Sequence, residues 1–365
     1  MYLPVLLVRD YGLWGLVVFA VPNVIGAASL AWVLPTPERA ARLLEQHEGM
    51  CRAFSLVTLA FHAYFLAMMR GFIDGHWWEI SVALAFIVVA AAGLGRRRSG
   101  DGAERWIASG VLAVSLGLGA ALAADGTPDA LSPPPAPPAG DGVLWLAPIC
   151  CFGFALCPYL DLTFLHARAR TGTGRGRKAF GLGFGVLFAA MIVVTLLYAP
   201  FLGTGRIGAL GPITLLLLAA HLSLQLAFTA GVHVRRLVAG RARVLESLWF
   251  IAPLLAGLLG GSLRGLVPDA ALSGLATQEV VYRAFMAFYG LVFPAYVWLC
   301  MIPTPDGHSG LGGAIGRRKL LVWCAAVGVA MPCFWMGFIA REEAFLAPGL
   351  LVVLLARLPV RARQE

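Results

Sequence analysis

Apolar residues run along this chain in blocks of about twenty, parted by short polar gaps, without the one-faced or alternating spacing of a soluble fold. About 20 apolar residues are what a helix needs to cross the roughly 30 Å hydrocarbon core of a bilayer. Eleven such blocks predict eleven spans: 11–34, 53–72, 77–95, 106–124, 143–165, 179–202, 210–233, 245–266, 279–302, 319–340 and 343–358. Lipid offers no hydrogen-bond partner to an open sheet edge, so every span is expected to be helical. The predicted fold class is therefore all-α, a polytopic bundle of transmembrane helices.

The gaps add detail. Thr36, Pro37 and Glu38 read as N-cap, N1 and N2, and Glu38, Arg42 and Gln46 then follow one turn apart. A short helix over 37–48, lying near the headgroups, is predicted. Residues 125–141 hold Pro133, Pro134, Pro135, Pro137 and Pro138 and no basic residue, which predicts an extended polyproline linker on the outer face. It divides the chain into a four-helix part, 1–124, and a seven-helix part, 142–365. The Gly/Arg-rich 170–178 and Gly-rich 306–316 read as flexible cytoplasmic loops.

Charge gives direction. Most of the 28 basic residues fall in alternate gaps: Arg39, Arg42 and Arg52; Arg96, Arg97, Arg98 and Arg105; Arg168, Arg170, Arg175, Arg177 and Lys178; Arg235, Arg236, Arg241 and Arg243; Arg317, Arg318 and Lys319; Arg357, Arg361 and Arg363. Positive loops stay cytoplasmic during insertion, so the amino terminus is expected outside and the carboxyl terminus inside a cell (inner) membrane. With 59% hydrophobic and 13% charged residues the partner is a lipid bilayer, because a soluble domain carries about 25% charged residues. The net charge of +9 orients loops beside anionic lipid, and nucleic acid is not an expected partner. The first block has no basic n-region and exceeds a signal-peptide core, so it reads as a span. Seven cysteines in or beside apolar runs show no disulfide pattern and read as small hydrophobes.

Polar side chains inside the spans carry the candidate chemistry, since each is costly in lipid. In the first span, Pro22, Asn23, Gly26 and Ser29 offer either a broken helix that exposes carbonyls or a kinked one packed through small residues. In the fifth, Cys157-Pro158-Tyr159-Leu160-Asp161-Leu162-Thr163 combines a proline with the one acid well inside that run. There Asp161 is expected against a helix carboxyl end, needing a cation: Arg168, Arg170, or a transported ion or proton. His221 and Gln225 lie one turn apart in the seventh span, and His62 sits mid-way along the second; each serves either packing or a polar path. Arg264 and Arg283 read as snorkelling to the interface or as an anion-attracting entrance.

No GxxxxGK[ST] loop is present, which removes ATP-driven transport by this chain alone, and HExxH, GxSxG and CxxC are also missing. No metal site and no cofactor are expected, although His62 and His221 could ligate a haem from two helices. The run Gly153-Phe154, Pro158-Tyr159-Leu160-Asp161, Arg168, Arg170, Arg177-Lys178-Ala179 and Gly183 to Phe188 resembles the sixth core helix and following loop of the amino acid–polyamine–organocation superfamily, whose fold sodium:solute symporters share. That resemblance implies Tyr159 and Asp161 in an unwound helix centre, with Asn23 and Gly26 as the partner break. In that fold the two broken helices run in opposite directions, whereas the first and fifth predicted spans here run the same way.

The expected function is secondary transport of a small solute, coupled to H+ or Na+, without enzymatic chemistry. The path would use Asn23, Gly26, Ser29, His62, Tyr159, Asp161, Thr163, His221 and Gln225. The alternatives are a membrane-embedded sensor or assembly subunit, or a haem or redox membrane protein.

Overall fold

The computed structural model describes residues 3–69, 101–124, 142–204, 210–238, 255–257, 259, 275–302 and 316–358. Every regular element among them is helical. In chain order they are α1 (Leu3–Val33), α2 (Pro37–Gln46), α3 (Glu48–Met69), α4 (Asp101–Ala124), α5 (Gly142–Leu156), α6 (Leu162–Ala169), α7 (Thr173–Leu182), α8 (Ala189–Thr204), α9 (Pro212–Val238), α10 (Thr277–Ala287), α11 (Phe293–Tyr296), α12 (Arg317–Phe338) and α13 (Leu346–Leu355).

Seven stretches among the described residues are long and apolar enough to cross a membrane, not the eleven predicted: Leu3–Val33, Trp106–Ala124, Gly142–Leu160, Thr173–Leu197, Pro212–Leu237, Thr277–Met301 and Arg317–Phe338. The last predicted span is a shorter apolar helix, Glu343–Leu355, too brief to cross a bilayer upright. The predicted second span does form a helix, α3, opened by a Glu48–Arg52 pair at 3.6 Å, but it is not one of the seven. The 77–95 block, the 125–141 linker and nearly all of 245–266 and 306–316 lie outside the described residues. The loop expected over 170–178 is helical from Thr173 onward.

The predicted short helix forms as α2, with Thr36 Oγ1 accepting from Arg39 N–H and Ala40 and Leu43 buried. Of the two readings offered for the first span, broken at Pro22 or packed through small residues, the structure shows the second. α1 runs helically through Pro22, Asn23 and Gly26, and leaves helical geometry only at Gly12 (φ 61, ψ −150), a conformation essentially confined to glycine.

Two compact units divide the chain, each drawn from three stretches. One comprises Met1–Gly12, Ser55–Pro135 and Ala190–Leu263; the other Leu13–Phe54, Ala136–Ala189 and Arg264–Glu365. Within the first, α4 packs along α9, and Ser115 joins His221 at 2.8 Å between them. Within the second, α5 approaches α1 and the stretch just after α10, Phe288–Val292, at backbone distance. A Cβ on Gly26 would stand 2.2 Å from Phe154 O, and one on Gly153 would stand 2.7 Å from Tyr289 O. Apolar burial cannot draw helices together in lipid, so such small-residue contacts, with their dense van der Waals packing, hold the bundle.

Two π-helical stretches, Phe288–Val292 and Val297–Met301, flank α11 and its Pro294. Neighbouring side chains claim main-chain oxygens along this distorted span. Cys157 Sγ donates to Tyr289 O, Trp323 Nε1 to Val292 O, and Arg357 to Trp298 O and Ile302 O. Four main-chain oxygens of the distorted span thereby gain partners from neighbouring segments.

Candidate functional site

The fifth predicted span is interrupted. α5 ends at Leu156, a 3-10 turn covers Cys157–Leu160, and Asp161 is extended (φ −71, ψ 109) before α6 begins. Pro158 explains the change, because its ring cannot donate to the preceding helical turn. The turn closes where Asp161 N–H donates to Pro158 O at 3.3 Å.

Asp161 is the N-cap of α6. Its Oδ1 accepts from Thr163 N–H at 2.8 Å, Thr163 Oγ1–H at 2.6 Å and Phe164 N–H at 3.3 Å. This corrects the expectation that the carboxylate opposes a helix dipole. It stands at a helix amino end, where the dipole favours negative charge by about 0.3–1 kcal/mol, and it needs no cation for that reason. Arg168 is not its partner either. Asp161 Oδ2 has no hydrogen-bond partner among the described residues, so half of the carboxylate builds the fold and half is uncommitted.

The other predicted residues of this unit lie on α1 and in the turn before Asp161. Tyr159 is largely buried, and its hydroxyl lies within hydrogen-bonding reach of Ser29. Ser29 Oγ itself donates to Gly26 O at 3.0 Å. Gly26 is the point at which α1 touches the backbone of Phe154 and Ala155, three residues before Cys157. Asn23, one turn before Gly26, is half-buried, with no side-chain partner among the described residues. Ser29 and Tyr159 thus form one polar pair where α1 meets the interruption, and Asp161 and Thr163 form a second at the start of α6.

His62, His221 and Gln225 belong to the other unit. His62 Nδ1 lies 2.6 Å from Thr58 O; a carbonyl only accepts, so Nδ1 carries the proton and Nε2 a lone pair. His221 is buried, with Nδ1 against Ser115 Oγ, whose own proton goes to Val111 O at 2.7 Å. Gln225 has no side-chain partner among the described residues. Among those residues no three His, Cys, Asp or Glu side chains converge as a metal site would require. Arg283, read from sequence as a snorkelling cation, pairs with Glu279 at 2.8 Å and donates to Phe338 O; Arg264 lies outside the described residues.

No protein-family model, curated protein or solved structure matches this chain. The functional reading therefore stands on the residues and their geometry.

Two residues hold positions that the sequence reading did not foresee: Arg168, read there as a loop cation for Asp161, and His47. Arg168 is completely buried (0% exposed); its Nε donates to Leu34 O at 2.8 Å, Nη1 to Thr171 O at 2.6 Å, and Nη2 to Pro35 O. His47, 1% exposed, lies with Nδ1 3.0 Å from Tyr296 Oη, the two rings edge to face. A signal existed for both. Arg168 follows buried Leu162 and Leu165 at a spacing of three, and His47 follows buried Ala40 and Leu43 at three and four, so each continues an apolar stripe inward.

Burial, with Lys319 nearby, holds His47 down to about 4. Its folded value lies below the unfolded one near 6.5, so the unfolded chain takes up a proton that the fold refuses. This contribution to stability is full above pH 6.5 and is lost as pH falls toward 4, by up to about 3 kcal/mol. Melting temperature followed from pH 7 to 4 checks it: His47→Phe, which keeps the ring, should flatten the acid decline.

Proposed function

We propose that the protein is a secondary transporter of a small solute in a cell (inner) membrane, coupled to H+ or Na+ through Asp161. The observation that supports this most is the half-used carboxylate at an interrupted span. A helix broken inside apolar sequence costs several backbone hydrogen bonds, and is tolerated in membranes where it lines a cavity or is buried in protein. Here the break leaves a carboxylate oxygen uncommitted, on a group whose other oxygen holds the Thr163 hydroxyl, two residues along the chain from Tyr159, which pairs with Ser29. A cation, a proton or the amine of a solute satisfies that oxygen.

Direction follows from the basic gaps, with the amino terminus outside and the carboxyl terminus inside. The resemblance to the amino acid–polyamine–organocation superfamily agrees with the role given to Tyr159 and Asp161. Asn23 and Gly26 contribute differently from what it implies, as side chain and packing point of a helical α1.

Purified protein in liposomes tests this. Offered labelled amino acids, amines, sugars and organic acids under an imposed H+ or Na+ gradient, it is expected to accumulate one class above empty liposomes. An ionophore should abolish the accumulation. Failure of every class under both gradients would count against transport. A haem-protein reading is favoured by one observation, the bare Nε2 that the Thr58 bond leaves on His62, as a ligating histidine requires. A Soret band in the purified protein would decide for it.

A further inference from the structure

The two buried polar ties made by Arg168 and His47 stand at opposite ends of the same element. α2 begins two residues after Pro35, whose carbonyl Arg168 takes together with that of Leu34, and it ends one residue before His47, which holds Tyr296. Between them Ala40 and Leu43 are buried and α2 packs on α6, while Glu38, Arg39, Ala41, Arg42 and Glu45 face out. α6, about 12 Å long, carries Asp161 at its amino end and Arg168 in its last turn. One short rigid helix therefore joins the uncommitted carboxylate to the tie on α2.

The two ties differ in kind. α1 has no basic residue in its last turn, and its terminal carbonyls lie where the helix dipole is negative. Arg168 supplies the missing cation from another helix. All its hydrogen-bond acceptors among the described residues are main-chain oxygens, so a full charge is buried on neutral dipoles, with the exposed Glu38 carboxylate and the Arg177 guanidinium acting on it only through space. The desolvation cost of that charge offsets much of what its hydrogen bonds return, so water can replace them at small net cost. His47 and Tyr296 are neutral, and both are almost wholly enclosed. Breaking that pair would expose two rings.

We infer that α2 is a gating strap at the inner end of the site, hinged at His47–Tyr296 and released at Arg168, which acts as the positioning residue of the closed state. The inference rests on the transport reading for its purpose, not for its structure. When α6 shifts as Asp161 takes or loses its ligand, the guanidinium leaves Leu34 and Pro35, and the strap opens from its amino end.

Hydrogen–deuterium exchange of the full chain in lipid nanodiscs, with no solute added, tests the strap without any transport. Arg168→Gln should speed exchange over 36–41 by about tenfold or more, with a smaller change over 42–47 and none in α10. Gly176→Ala is the second variant, keeping the charge: its Cβ would stand 3.0 Å from Arg168 Nη1 and 3.3 Å from Cζ, and it should give the same local pattern more weakly. Unchanged exchange in both variants overturns the latch. Uniform acceleration through every helix would also overturn it, by making Arg168 a general structural tie. If 36–41 opens while gradient-driven uptake keeps wild-type rates in both directions, the gating role is overturned. If wild type transports nothing yet 36–41 opens locally, the transport reading fails and the latch stands.

Discussion

Gly26→Ala is expected to yield no stable folded protein. The added methyl would lie 2.2 Å from Phe154 O, 2.8 Å from Ala155 Cα and 2.9 Å from Phe154 C. All three are backbone atoms of α5, so no side chain can rotate away, and only separating α1 from α5 makes room. Overpacking a well-filled interior costs about 1–3 kcal/mol and more where backbone must move, so a loss above about 3 kcal/mol is expected. Gly153→Ala, 2.7 Å from Tyr289 O, should act on the opposite side of α5 in the same direction. Gly49→Ala is the control: a Cβ there meets nothing within 4 Å, and replacing a helical glycine should gain about 0.5 kcal/mol. Size-exclusion profile and melting temperature in detergent read all three. A Gly26→Ala protein that melts with wild type would mean that α1 and α5 do not touch as described.

Asp161→Asn separates the two duties of that residue. Asparagine caps helices about as well as aspartate, so the bonds to Thr163 and Phe164 survive and α6 should still begin at 162. Only the charge–dipole gain of about 0.3–1 kcal/mol is lost. Melting temperature should therefore fall little, while gradient-driven uptake falls about 30- to 100-fold, the effect of losing one hydrogen-bonded charge contact worth about 2–3 kcal/mol. Asp161→Ala should show both defects, losing the cap at about 1 kcal/mol as well as the charge. Unimpaired uptake in the asparagine variant would leave Asp161 a helix cap and nothing more.

The sequence announced helices and lipid, because twenty-residue apolar blocks act through local physics, and it marked Pro158 as a residue that loosens its helix. It left Pro22 open between a break and a kink. Proline inside an apolar helix signals a loosened turn, but whether the turn opens depends on what packs beside it, and Gly26 holds α1 against α5. Its reading of Asp161 went wrong by one step: taking 143–165 as one helix put the acid near a carboxyl end, whereas a break four residues earlier puts it at an amino end. His47 and Arg168 were visible as continuations of apolar stripes. Their partners, Tyr296 and the carbonyls of Leu34 and Pro35, lie 249, 134 and 133 residues away, beyond what spacing can show.

Charge movement on a solid-supported membrane is the most direct test that the uncommitted oxygen of Asp161 carries the coupling ion. Adding the accumulated solute to wild-type proteoliposomes should evoke a transient current, and Asp161→Asn should give none while still exchanging labelled solute across the membrane. Equal currents from the two proteins would contradict the account.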